Sequence, residues 1–152
     1  MSTVATIPEP LAAGEAYVER GGVYWYGSEG LNVRELARAM NAVGARFVTI
    51  TAYQLPKDEG FRLEYHWDLA GRLLGFGFNL AGTVIESIYD LCEAVDWIAR
   101  EIHEGFTINF AGREYEALQI RPGEPLGVNL REIGVPAKPD SGLRGVGEEV
   151  AK

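Results

Sequence analysis

The sequence predicts an α+β fold, a two-layer sandwich with a mostly antiparallel sheet of about four to five strands and helices on one face. Three observations carry this expectation. Two segments repeat their apolar residues at spacings of three and four, and several others alternate them every second residue. The links between the alternating segments are too short for parallel crossovers, which need a dozen or more residues. With 47% hydrophobic and 24% charged residues over 152 positions, composition and length both fit one ordinary globular domain.

Residues 1-29 read as an N-terminal segment, partly ordered. Its start, MSTVATIPEPLAAGE, lacks a basic run followed by a long apolar one, so no secretory signal is expected and the cytoplasm is the default. The folded domain is expected over 30-127. It opens with NVRELARAMNAVGA, where Val33, Leu36, Ala37, Met40 and Val43 form one helical stripe, Asn32 and Glu35 resemble a capping box, and Gly44 is a natural stop. RFVTITAYQL follows as a strand and ends in the turn PKDEG. FRLEYHWDL alternates strictly, with Phe61, Leu63, Tyr65 and Trp67 on one face and Arg62, Glu64, His66 and Asp68 on the other, which is expected to be wet or covered by a partner. RLLGFGFNL places Gly75 and Gly77 opposite its aromatic face, which suggests a bend or the close approach of another backbone.

TVIESIYDL reads as a further strand of the meander. From Asp90 the period becomes helical through Leu91, Ala94, Val95, Ile98 and Ile102, with Asp90 and Glu93 as a second capping box and Gly105 as the stop. FTINF is a last short strand, with Phe106, Ile108 and Phe110 on one face. Beyond it the chain loses periodicity, and 128-152 reads as an extended or disordered tail rich in Pro, Gly and charge.

Several function classes are disfavoured. The net charge of −8 opposes a protein that binds by neutralising phosphates. Cys92 is the single cysteine, which excludes a disulfide framework or a multi-thiolate cluster on this chain alone. The most apolar window, LLGFGFNLAGTVI, is shorter than the roughly 18 residues a membrane span needs.

Candidate chemistry is sparse. His66 and His103 lack the tight spacing of a zinc site, and His103 is followed by EGFT, so no HExxH is present; each reads as a surface or partner-facing imidazole. Glu64 with Asp68, and Glu101 with Glu104, lie on charged faces and read as solvated rather than as acid/base pairs. Cys92 falls in the first turn of the expected second helix, where the dipole favours a thiolate, but a small buried or half-buried residue is the commoner role. The glycine pieces GSEG, GFGF and GLRGVG lack the strand, turn and helix context of a phosphate loop. A structural or interaction subunit therefore leads. A ligand-binding or enzymatic domain using Arg62, Glu64, His66 and Asp68 is the alternative.

One stretch narrows the choice. WIAREIHEGFTINFAG, residues 97–112, resembles the signature of the 30 kDa subunit of NADH-quinone oxidoreductase, respiratory complex I, and of its relatives in membrane-bound energy-converting nickel–iron hydrogenases, approximately W-x-E-R-E-x-Y-D-x-F-G-I-x-F-x-G-H-P. Trp97, Arg100, Glu101, Phe106, Ile108, Phe110 and Gly112 fall in register, Glu104 stands for the family's aspartate and His103 for its tyrosine. Upstream, Tyr65 and His66 match a strand of the form R-F-E-V-V-Y-H-L. Ala99, Thr107 and the continuation GREYEALQI depart from the pattern, and Gly127 follows Pro125 and Leu126 where the quinone-reducing versions carry arginine. These departures resemble the divergent hydrogenase-type relatives.

The resemblance implies a non-catalytic docking subunit of the hydrophilic arm, in a complex held peripherally on the inner face of the membrane. It implies no cofactor on this chain, with iron–sulfur clusters, and FMN or a nickel–iron centre, on partner subunits. The motif residues Trp97, Arg100, Glu101, His103, Glu104, Phe106, Gly112, Tyr65 and His66 would then form the partner interface.

Overall fold

The computed structural model describes residues 18–28 and 30–131. Two short strands, β1 (Val18–Arg20) and β2 (Val23–Tyr26), precede helix α1 (Val33–Ala42). Strands β3 (Arg46–Gln54), β4 (Phe61–Leu69) and β5 (Arg72–Leu80) follow. Then come β6 (Val84–Glu86), helix α2 (Asp96–Phe106) and β7 (Asn109–Ala111). The main sheet has five strands in the order β1-β2-β5-β4-β3, and β6 pairs with β7 in a separate ribbon.

Helix α1 forms where its signals stand. Asn32 is extended, and its side-chain oxygen accepts the N–H groups of Arg34 at 2.8 Å and Glu35 at 3.3 Å, satisfying two donors that the first turn leaves open. Val33, Leu36, Ala37 and Met40 are buried, and Gly44 leaves the helix at φ +73°. Burying side chains the size of Leu36 and Met40 contributes roughly 1.5–3 kcal/mol each.

Strands β3, β4 and β5 form the antiparallel meander, Tyr65 pairing with Ile50 on one side and Phe76 on the other. The face of β4 carrying Phe61, Leu63, Tyr65, Trp67 and Leu69 is buried throughout, and it joins the apolar stripes of α1 and α2 in one core. At its centre Trp67 meets Phe47 and Phe76 edge-on at 5.7 and 6.0 Å and stacks with Tyr65 at 5.9 Å.

The fourth meander strand expected over TVIESIYDL does not form. The free edge of β5 is already taken by β2, which lies parallel to it, Trp25 opposite Gly75. That pairing is open to the chain because α1, β3 and β4 all intervene. After the turn at Gly82 the chain therefore leaves the sheet, β6 is only three residues long, and it runs parallel to β7 with α2 as the crossover.

The second helix also starts later than expected. Asp90 does not cap it; its carboxylate takes a two-pronged bond from Arg34 at 2.7 Å and 2.7 Å, fastening the 86–91 loop to α1. Cys92 is extended and half-buried, outside the helix, and a 3-10 turn over Glu93–Val95 leads into α2. Gly105 does not stop this helix either. It lies inside it, with the Asn129 side chain in the space a Cβ would need, and Thr107, in left-handed backbone at φ 60°, ends the helix by donating to His103 C=O. The strand expected over FTINF is accordingly displaced to Asn109–Ala111, while Ile108 points fully into the core.

Candidate functional site

The C-terminal half of α2 is where the motif residues and the loop-built segment 112–131 meet. Glu104 is 3% exposed, and its carboxylate accepts N–H groups from Leu118 at 2.6 Å, Gln119 at 3.0 Å and Ile120 at 3.3 Å, together with the Tyr115 hydroxyl. Burial alone would raise this carboxyl. The donors from Tyr115, Leu118, Gln119 and Ile120 outweigh it and hold the group below the ordinary carboxylate value. Tyr115 responds in the opposite sense, pushed up to about 12 by burial and by the carboxylate beside it. Further along, Gly127 N–H donates to Glu104 C=O at 2.7 Å and Asn129 N–H to Gly105 C=O at 2.9 Å. Carbonyls that a helix end leaves open thus fasten a strap of irregular chain.

The first half of α2 is tied to the same strap by charge. Arg100 donates to Asp96 one turn back at 2.9 Å and to Ala117 C=O at 3.4 Å. Arg113 pairs with the same Asp96 and lies 3.9 Å above the Tyr89 ring. His103 Nδ1 donates to Ile108 C=O at 2.9 Å, and its ring lies 4.1 Å from that of Tyr115. Between α2, β7 and the strap lies a pocket of ≈ 280 Å³, with Ala99, Phe110, Ala111 and Tyr115 among its walls and Arg100 and Arg113 beside them.

The residues singled out from sequence therefore divide. Trp97 is 70% exposed, and Glu101 and Gly112 are also exposed, Gly112 in left-handed backbone. Arg100 and His103 are half-buried in bonds to the chain itself. Glu104, expected on a solvated face, is a buried anchor. Phe106 is half-buried and meets Phe61 edge-on at 6.1 Å. Tyr65 is fully buried in the core, where burial pushes its phenol up, so its side chain meets only this chain's own residues.

The sheet's other face differs from expectation as well. His66, expected at the surface, is 8% exposed, because the Trp25 ring reaches across Gly75 and meets it edge-on at 5.3 Å. That desolvation lowers the imidazole's pKa, against a smaller opposing pull from Glu64. A Cβ on Gly75 would fall 2.6 Å from the Trp25 ring, and one on Gly77 would strike the Arg62 guanidinium. The two glycines make room for side chains lying on the sheet, not for a bend or another backbone. Arg62 bonds Glu64 at 2.8 Å and Asn79 at 3.0 Å, and Asp68 pairs with Arg46 at 3.3 Å, so the alternative ligand face is occupied by its own charges. Among the described residues no group of three or more His, Cys, Asp or Glu is placed to hold a metal ion.

Sequence reading missed Asp96, Tyr115 and Trp25, and took Arg113 only as a departure from the family motif. The i, i+4 spacing of Asp96 and Arg100 was a usable signal. Arg113 and Tyr115 sit where periodicity has ended, and Trp25 acts from a strand too short to show a pattern.

In comparisons with known proteins, residues 30–130 match the family described as respiratory-chain NADH dehydrogenase, 30 Kd subunit. No curated protein matches the sequence. Solved structures resemble the fold, two of them as follows. One is the trypsin-resistant fragment (1-134) of Nqo5, with TM-score 0.54 and 21% identity, covering 66% of this chain and 89% of that one. The other comes from the membrane-bound sulfane sulfur reductase, an archaeal respiratory membrane complex, with TM-score 0.56 and 22% identity, covering 70% of this chain and 67% of that one. At these identities the likeness is one of fold.

Proposed function

This chain belongs to the family of the respiratory-chain NADH dehydrogenase 30 Kd subunit, and from that premise we propose that it is a non-catalytic docking subunit in the hydrophilic arm of a membrane-associated electron-transfer complex. The observation that carries the reading is the family match over residues 30–130, which takes in α1, the meander, α2 and the strap. In this reading the chain packs against the iron–sulfur and catalytic subunits, carries no cofactor of its own and sits peripherally at the inner membrane face through its partners. Its single cysteine supports the absence of an iron–sulfur cluster on this chain. No helix among the described residues is long and apolar enough to cross a membrane, consistent with attachment through other subunits.

The departures from the family motif favour a hydrogenase-type relative over the quinone-reducing version. Arg113 stands where the motif has histidine, and here it is committed to Asp96 and Tyr89. Gentle purification of a tagged full-length chain from its native host tests the reading. Iron–sulfur and large catalytic subunits are expected in the eluate, identified by mass spectrometry and iron content. Recovery of the chain alone overturns it.

A further inference from the structure

We propose that the outward stripe of α2 and its lead-in turn, Trp97 flanked by Glu93 and Glu101, seats this chain on a partner subunit that offers an apolar socket rimmed by lysine or arginine. The inference rests on the docking reading and narrows it to one face. From Glu93 to Gly105 the exposed positions are Glu93, Ala94, Trp97 and Glu101. At 70%, Trp97 is more exposed than any other large hydrophobic residue described. Of the other charged or aromatic motif residues on this helix, Arg100, His103 and Glu104 are engaged by the chain's own strap and Phe106 by Phe61. The outer stripe is thus what remains for another molecule.

Neither acidic side chain has a counter-charge in the described chain: the ion pairs of α2 run through Asp96 to Arg100 and Arg113. Glu93 gains from the positive end of the helix dipole, but Glu101, in the helix middle, gains nothing from it. An indole held in water between two uncompensated carboxylates contributes little to the isolated fold. Both terms change sign against a socket with cationic walls, where the ring is desolvated and the carboxylates are neutralised. Tryptophan is the residue type most often found as such an anchor. A second copy of the chain meets this face badly, since a two-fold contact would set Glu93 and Glu101 against their own kind.

The test uses the full-length chain in its native host. Trp97→Ala, Trp97→Phe and the double variant Glu93→Lys with Glu101→Lys are purified gently as tagged proteins, and retention on partner subunits is measured across a salt series. Trp97→Ala is expected to weaken retention roughly 30-fold with an unchanged thermal midpoint for the isolated chain, and Trp97→Phe to restore part of it. The double reversal is expected to weaken binding and invert its salt dependence, because added salt now screens a repulsion from the cationic rim. A photo-crosslinker at position 97 is expected to label a partner peptide containing lysine or arginine. Wild-type retention by Trp97→Ala, or a crosslink to this chain's own terminal residues or to a second copy, overturns the inference while the docking reading stands. A wild-type chain recovered alone overturns both.

Discussion

The carboxylate of Glu104 collects three backbone N–H groups and a phenol from a segment that has no helix or strand of its own. A buried charge satisfied in this way is costly to disturb, because each donor it releases must find water or remain unpaired. Glu104→Ala is expected to lower stability by about 2 kcal/mol and to speed amide exchange at Leu118, Gln119 and Ile120 before the rest of the chain. Unchanged exchange at these three amides would sink the anchoring role. The pH dependence follows from the same bonds. The folded carboxyl titrates below its ordinary value of 4.5, so its stabilisation is present above that value and disappears as pH falls through the lower folded one. Denaturant midpoints measured on the acid side are expected to fall more steeply for wild type than for Glu104→Gln, which has no charge there to lose. Nothing in the residue spacing distinguishes Glu104 from its exposed neighbour Glu101, since both sit among charges. The partners that separate them lie 11 to 16 residues downstream, in chain without a period.

At the scale of elements, α1, β3, β4 and β5 were legible because local chemistry and tertiary packing agree. Asn32 caps, Gly44 stops, and the alternation of FRLEYHWDL coincides with a buried face. The start of α2 was not, because Asp90 has the right residue type for a cap but is claimed by Arg34 from another element. The fate of β6 depended on β2 having taken the edge of β5, a competition that no local window contains. The glycines of β5 offer a sharp check on the packing of the outer face. Gly75→Ala forces the Trp25 ring off the sheet and is expected to cost about 1–3 kcal/mol. Gly77→Ala displaces only the mobile end of Arg62 and is expected to cost well under half as much by the same chemical-denaturation measurement. Equal costs would mean that Trp25 does not rest where the structure has it.

For the whole molecule, the family match begins at residue 30, yet the sheet includes β1 and β2, which lie before it. Removing residues 1–29 therefore deprives β5 of a neighbour and uncovers His66. The truncated chain is expected to melt about 5 °C or more below the full-length one. The His66 resonance should also move its titration up towards 6.5, the value burial now depresses. In the intact chain a neutral, desolvated His66 contributes stability that is complete above 6.5 and declines as pH falls through that value towards the lower folded one. That loss should be smaller in the truncated form. An unshifted titration would show that Trp25 does not shield the ring. The same strand order has an optical consequence. Val18 begins β1 at one margin of the sheet, and Arg131 N–H is bonded to the side chain of Gln54, the last residue of β3, at the other. Across the sheet Val18 lies level with Thr49, so four inter-strand spacings and the run along β3 from Thr49 to Gln54 put Val18 and Gln54 about 25 Å apart. A donor and an acceptor dye at positions 18 and 131 therefore form a ruler laid across the sheet. Energy transfer between them should be strong in the native protein and fall in a separate early step if β1 and β2 peel away before the meander melts.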